Sequence, residues 1–247
     1  MSITGIIRIA FKSLTRNKTR TFLTMLGIII GVAAVITMLA IGQGAKKIVE
    51  DQISSMGTNV LMVTVNFTRN SSTVRQAAGS GTLLELDDAL AIRSQVEDAL
   101  YVSPVYNSYA QLKYESQNWR TSIMGVDTDY FYIRDMDVSQ GDLFYDSDVE
   151  NGNKVCVIGK TVAENLFGDV DPVGNIIRIR NIPFTVKGVM ESKGQNVMGM
   201  DQDESVWAPY TTVYARLLGQ RWRNMMIIVS ASSKDKISSV SQDILEL

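Results

Sequence analysis

The stretch Thr21–Ala45, TFLTMLGIIIGVAAVITMLAIGQGA, decides the architecture. It contains no charged residue, and its apolar part runs over the 20 residues Phe22–Ile41. At 1.5 Å rise per residue that is about 30 Å of helix, the thickness of a bilayer's hydrocarbon core. Eleven of those residues are Leu, Ile, Val or Phe. At about −0.3 to −0.6 kcal/mol each they favour insertion by roughly 3–7 kcal/mol. A secretory signal has a shorter apolar region, about 7–15 residues. Ala40-x-Gly42 is only a weak cleavage pattern, so the reading is a retained membrane span.

Outward from this stretch, charge sets the orientation. Residues 1–45 carry five basic groups (Arg8, Lys12, Arg16, Lys18 and Arg20) and no acid. All five precede the span, and only Lys46 and Lys47 fall in the twenty positions after it. The basic-residue bias predicts a cytoplasmic N-terminus, with the chain beyond residue 46 outside. Before the span, Ile3, Ile6, Ile7, Ala10, Phe11 and Leu14 recur at helical spacing. Arg8, Lys12 and Arg16 form a separate i, i+4, i+8 stripe. This predicts an amphipathic helix on the inner leaflet, with its cations toward anionic headgroups or a partner.

Within the span, Thr24, Gly27, Gly31 and Ala34 share one helical face. Small residues let a second helix approach closely, which drives association where water gives no hydrophobic force. The face therefore predicts partner helices, yet no second apolar run of 18 residues occurs in the sequence.

The remaining residues form a polar, acidic chain of elements. The protein has 247 residues, 45% apolar and 20% charged, with a net charge of −2. Residues 46–247 hold 19 basic and 26 acidic groups, a net of −7, which argues against a nucleic-acid surface. Ala45–Met56 keeps helical spacing up to Gly57 and predicts a stalk. Strands are expected at Val60–Phe67, at Tyr101–Tyr114 with an interruption near Pro104, and at Thr121–Val126, Val155–Ile158 and Asn224–Ser230. Ile176–Ile179 and Phe184–Val189 predict a hairpin around Asn181. Helices are expected at Asp87–Gln95, with Leu86, Leu90 and Ile92 inward, and at Asp129–Ile133, Thr161–Leu166, Tyr210–Leu218 and Lys234–Leu247. Thr68–Gly81 reads as a loop. A β-α-β unit early and a β-α unit late suggest one split α+β unit with the middle inserted into it.

Catalytic patterns are few. There is no histidine, which removes most zinc sites and the His-dependent nucleophile pairs. The single cysteine, Cys156, lies in an apolar run and reads as a buried strand residue. Gly159-Lys160-Thr161 follows a strand and opens a helix, but a phosphate loop needs a glycine where Lys154 stands. Asp127–Glu150 holds eight carboxylates against Arg134. Asp146, Asp148 and Glu150 have calcium-loop spacing without the required glycine at position six, so a solvated acidic loop is expected. Asn66-Phe-Thr and Asn70-Ser-Ser match the glycosylation pattern, which is frequent by chance. No metal, cofactor or catalytic residue is expected. Gly194–Glu204, with Met198, Gly199, Met200 and Asp201, reads as either a partner-contacting loop or an ordinary surface loop.

Ala10–Val32 (AFKSLTRNKTRTFLTMLGIIIGV) resembles the N-terminus of the MacB-like/FtsX-like ABC-transporter permeases. Ala40–Ala45, Val157-Ile158-Gly159, Leu166-Phe167-Gly168, Asp171-Pro172-Val173-Gly174, Gly199–Asp203 and Trp207-Ala208-Pro209 extend the resemblance over essentially the whole sequence. The resemblance implies an α+β protein: one transmembrane helix with a stalk, then a two-part extracytoplasmic domain in which a porter-like unit carries a mostly-β insertion. On this sequence the parts are a cytoplasmic amphipathic helix (1–20), the membrane helix (21–45), the stalk (46–58), the porter-like unit (59–118 and 219–247) and the insertion (119–218). It implies a separate ABC ATPase subunit, a second permease copy forming a dimer, and in some envelopes a periplasmic adaptor. Arg8, Lys12, Arg16, Lys18 and Arg20 would face the coupling surface inside the cell membrane. Family members continue with three more spans, so the resemblance implies that residues 1–247 are the first part of a longer permease. The alternative functional reading is a single-span receptor or sensor with an extracytoplasmic ligand- or partner-binding domain. A secreted hydrolase would need a processed N-terminus and a catalytic group that the sequence does not offer.

Overall fold

The computed structural model describes residue 5 and residues 16–55, 59–65, 84–196, 199–219 and 225–247. The expected helix before the span, Arg8, Lys12, Gly57, both glycosylation patterns, the 68–81 loop and Met198 lie outside these residues. The chain divides into two compact units, Met1–Asp51 and Gln52–Leu247.

The first unit is dominated by helix α1, Lys18–Ser55, which is 38 residues long. Its stretch Lys18–Val49 is long and apolar enough to cross a membrane. Phe22 through Val49 is exposed, so among the described residues no packing covers these apolar side chains. The threonines are adapted to such a surface. Thr24 Oγ1 donates to the Arg20 and Thr21 carbonyls, and Thr37 Oγ1 donates to the Ala33 carbonyl. A hydroxyl satisfied within its own helix needs no water.

The second unit is α+β. Its elements are β1 (Val60–Val63), α2 (Leu86–Gln95), β2 (Ala99–Tyr114), β3 (Gln117–Val126), α3 (Asp129–Ile133), β4 (Val138–Gly141), α4 (Asp146–Glu150), β5 (Val155–Ile158), α5 (Lys160–Phe167), β6 (Ile176–Ile179), β7 (Ile182–Met190), β8 (Ser205–Pro209), α6 (Tyr210–Thr212), β9 (Met225–Ala231) and α7 (Ile237–Glu246). The strands join in the order β1-β9-β2-β3-β8-β5-β7-β4, and β6 pairs with both β2 and β7. Those pairings close a ring, β2-β3-β8-β5-β7-β6, with β1 and β9 extending from β2.

Strand alternation sorts side chains into two cores. Val102, Tyr106, Ala110 and Leu112 of β2, Ile227 and Val229 of β9, and Cys156 and Ile158 of β5 belong to the first. Helices α2, α5 and α7 pack into it through Ala89 and Ile92, Val162 and Leu166, and Val240. The intervening residues Val105, Ile228, Val157 and Trp207 form the second core with Tyr130, Phe131 and Ile133 of α3.

Several sequence expectations are corrected. β2 runs unbroken through Pro104, which pairs with Ile227 of β9, and its irregularity lies between Ala99 and Tyr101 instead. Pairing with β3 begins only at Tyr106, so Pro104 sits where one flank of β2 has no ladder for the missing N–H to break. On α2 the inward stripe is Ala89, Ile92 and the following Val96, while Leu86 is half-buried and Leu90 is exposed. The β1 strand ends at Val63. Asp146–Glu150 is helix rather than loop. Tyr210–Leu218 is only briefly α-helical and continues as a π-helical turn over Val213–Leu218. β4 and β8 had no distinct sequence signal. The hairpin turn between β6 and β7 is Arg180-Asn181, both at positive φ (48° and 70°), the geometry of a two-residue primed turn.

Arg93 ties α2 to β2 and to the start of α3. Its Nη2 donates to the Val102 carbonyl and pairs with Asp127 at 2.8 Å and Asp129 at 2.7 Å. Burial pushes the Asp127 carboxyl above its usual range, and Arg93 offsets only part of that.

Candidate functional site

Two regions carry functional geometry. The first is the small-residue face of α1. A methyl group built on Gly27 or Gly31 would meet nothing within 4 Å. Thr24 and Ala34 are exposed beside them. The backbone is therefore bare along this face, as close helix approach requires. Arg16, Lys18 and Arg20 are exposed at the same end of the helix.

The second region lies in the second unit, among residues 191–196 and 199–204, which precede β8. Asp203 organises it. Its carboxylate accepts from Ser192 Oγ at 2.5 Å, from the Lys193 N–H at 2.8 Å and from the Gly194 N–H at 3.0 Å. Asp201 accepts from Thr161 Oγ1 at 2.7 Å and from the Asp203 N–H at 2.8 Å. The Gly159-Lys160-Thr161 sequence thus serves packing. Gly159 caps α5, and a Cβ there would lie 2.0 Å from the Asp203 carbonyl oxygen. Of the loop residues singled out in the sequence, Asp201 points into this anchorage, while Met200 is 58% exposed.

Between this loop, α3 and the sheet opens a cleft of about 640 Å³. Ser122 and Met124 of β3 and Trp207 of β8 line its sheet side, with Tyr130, Arg134 and Met136 opposite. Burial pushes the Tyr130 phenol up, against the opposing pull of Arg134 and Trp207. The Lys193 ammonium donates to the Arg134 carbonyl at 2.7 Å, and desolvation lowers its pKa despite Asp135, Asp137 and Glu191 nearby. Of the cleft's aromatic residues, Trp207 belongs to the Trp207-Ala208-Pro209 motif, while Tyr109 and Tyr130 carried no functional motif.

The acidic window is structural where its geometry is clear. Asp148 receives the Tyr145 N–H at 2.9 Å, Asn153 Nδ2 at 2.8 Å and Lys187 Nζ at 2.9 Å. Among the described residues, no group of three or more His, Cys, Asp or Glu is placed to hold a metal ion. Cys156 is fully buried and its thiol pKa is pushed up by that burial, which makes it inert.

The family model for the MacB-like periplasmic core domain matches residues 21–247. The chain belongs to this family. It is 38% identical over 237 residues to the macrolide export ATP-binding/permease protein MacB of Syntrophobacter fumaroxidans, covering 94% of this chain and 33% of that protein. It is 40% identical over 240 residues to the MacB of Chlorobaculum tepidum, covering 97% and 36%. This MacB-like chain therefore spans about a third of the length of these curated relatives. In fold it is similar to the periplasmic region of MacB from Actinobacillus actinomycetemcomitans, with a TM-score of 0.64 and 24% identity over 81% of this chain and 86% of that one. The extracellular domain of the noncanonic ABC-type transporter YknZ from Gram-positive bacteria matches with a TM-score of 0.58 and 20% identity, over 66% and 81%. These two likenesses carry the fold of the second unit, a mixed α/β MacB-like domain; the apolar helix α1 precedes it.

Proposed function

We propose that this chain is the membrane-anchored, extracytoplasmic part of a MacB-type ABC transporter permease. In this role it moves an outer domain in response to ATP hydrolysed in the cytoplasm by a separate ATPase subunit. The observation that carries the reading is a family match that starts inside the apolar helix and runs through the outer domain. The basic residues before the helix support a cytoplasmic N-terminus by the positive-inside rule and place residues from about 46 onward outside.

In this mechanism Arg8, Lys12, Arg16, Lys18 and Arg20 meet lipid headgroups or the ATPase, and Thr24, Gly27, Gly31 and Ala34 pack against other membrane helices, within the permease or from a second copy. Helix α1 continues without a break to Ser55, so a displacement inside reaches the outer domain through one rigid element. The porter-like and inserted parts move as the load, and an adaptor protein docks outside, with Met198–Asp201 as the contact loop. Substrate then need not cross among the membrane helices.

The test is a chimera in which residues 1–247 replace the matching stretch of the Syntrophobacter fumaroxidans MacB. ATP-dependent export above the vector background is expected. Reversing Arg16, Lys18 and Arg20 to Glu in the chimera should lower that export while the protein still inserts. A chimera that inserts and folds yet exports nothing overturns the reading.

A further inference from the structure

Lys113 of β2 and Arg178 of β6 stand directly opposite each other in antiparallel register, and both are exposed. Leu112 and Ile179, the pair beside them, are fully buried in the first core. Strand alternation therefore turns the two cations away from that core, onto the outer surface of the sheet. Opposed residues of an antiparallel pair hold their Cβ atoms about 4.5–5.5 Å apart, and like charges there repel. Arg120 of β3 pairs with Gln111, which makes it a diagonal neighbour of Lys113 at about 7–8 Å. Strands β2, β3, β6 and β7 contain no Asp or Glu. Among the described residues, Lys113, Arg120 and Arg178 form no ion pair. Glu115 in the β2–β3 turn and Glu204 just before β8 are not paired with them either. The fold thus keeps a repulsive pair that no described carboxylate relieves, and an anion arriving from outside relieves it.

The surroundings specify the kind of anion. Residues 46–247 carry a net charge of −7, so this patch is a local exception on an acidic body. An extended anionic membrane surface repels a body of that net charge. A short acidic segment feels mainly the patch itself, because charges beyond about 8–10 Å are screened at physiological salt. Arg178 holds one nitrogen on the Asn181 carbonyl, at 3.3 Å, which orients the guanidinium, and this planar fork matches a carboxylate. Tyr109 of β2 and Ile176 of β6 are large, exposed and on the same outer surface. Tyr and Arg together are the residues that protein interfaces favour. We propose that the outer face of β2, β3 and β6 docks an acidic segment of a partner protein, with carboxylates spaced about 5–8 Å apart pairing with Lys113, Arg178 and Arg120. This face is separate from the proposed contact loop at Met198–Asp201. It is read by binding alone, so its failure and that of the export role are distinguishable.

The full chain in phosphatidylcholine nanodiscs tests it, with a ten-residue peptide of alternating Glu and Thr carrying an uncharged dye as the probe. Fluorescence anisotropy at low salt should show saturable binding, at least about tenfold tighter than that of the same peptide with Gln for Glu. Arg178→Glu turns the repulsive cross-strand pair into an attractive one. It should weaken peptide binding at least about tenfold while the urea midpoint of the outer unit stays equal or rises, so lost binding cannot be lost folding. Lys160→Glu/Lys234→Glu makes a larger change in net charge away from this face and should change binding less than about twofold, as a local site requires. Equal binding of the Gln peptide, or an equal loss in the Lys160/Lys234 variant, overturns the proposal. So does tighter binding to vesicles of phosphatidylcholine and phosphatidylglycerol in equal parts, which would assign the face to lipid. Self-association abolished by Arg178→Glu in sedimentation would assign it to a second copy and overturn it as well.

Discussion

Gly159 and Asp148 show how motif-like residues act through packing. A Cβ on Gly159 would lie 2.0 Å from the Asp203 carbonyl oxygen and 2.7 Å from its carbon, and both are backbone atoms that cannot swing aside. Gly159→Ala should therefore destabilise the outer unit by about 3 kcal/mol, the upper range for overpacking. Urea unfolding of the detergent-solubilised chain, followed by tryptophan fluorescence, measures it; a midpoint equal to wild type would refute the close approach. Asp148 carries a pH dependence. Burial pulls its carboxyl upward, but the bonds from Asn153, the Tyr145 N–H and Lys187 win and hold it below the usual carboxylate range. A lowered folded pKa gives stability that is present above the unfolded value, about 3.9, and is lost as pH falls through the folded one. Asp148→Asn should thus cost about 1–2 kcal/mol at pH 7, the size of a helix cap plus a partly buried ion pair. The gap to wild type should begin to narrow near pH 4 and continue closing below it. A gap that is constant from pH 7 to pH 3 contradicts the assignment.

Elements differ in how far local sequence determines them. Lys160–Phe167 and Asp129–Ile133 were legible because periodic apolar residues and a terminal Gly168 mark the first, and a short aromatic run marks the second. The β6–β7 hairpin was legible from alternation around Asn181. β4 was not, because three of its four residues are exposed and an edge strand with one covered side shows no alternation. β8 is five residues ending in Pro209, and it is held by parallel pairing to β3 and antiparallel pairing to β5. That information is distributed over distant segments. The same holds for the cleft, whose Met124, Tyr130 and Trp207 come from three elements. Leu90 misled because its size suggested burial, whereas Ala89 occupies the helical phase that faces the sheet. On α1 the small-residue face yields a clean prediction. Among the described residues nothing beyond the helix's own backbone lies within 4 Å of a Cβ at Gly27 or Gly31, so Leu at both positions has open space there. Gly27→Leu/Gly31→Leu should leave insertion and the outer fold intact and reduce assembly in a complete transporter at least severalfold, as measured by cross-linking or co-purification. Normal assembly of the double variant removes the face as a helix contact.

At the scale of the whole molecule, one helix is longer than the membrane requires. Its 38 residues extend about 57 Å at 1.5 Å each, against a hydrocarbon core of about 30 Å. Close to half of it therefore exceeds what a bilayer core needs, and the proposed function uses that length as a stalk. The outer unit has a matching property. Its nine described strands form one hydrogen-bonded sheet, and β2, 16 residues long, pairs with β9 at one end and with β3 and β6 toward the other. The proposed boundary between porter-like and inserted parts at residues 118 and 119 falls inside β3, so the two parts share strands rather than a linker. A sheet continuous across its parts transmits displacement as a body. In the proposed function the load path is helix, then sheet, and its weakest point would be any flexible joint before the sheet. Inserting Gly-Ser-Gly-Ser-Gly-Ser between Lys47 and Ile48 breaks the helix, and flexible linkers transmit little force. In the full-length chimera this insertion should leave ATP hydrolysis within about twofold of the parent while lowering export at least tenfold. An insertion of seven alanines at the same place preserves helix and phase and should retain most of the export. Equal export from both insertions would show that the stalk is a tether and that force reaches the outer domain by another route.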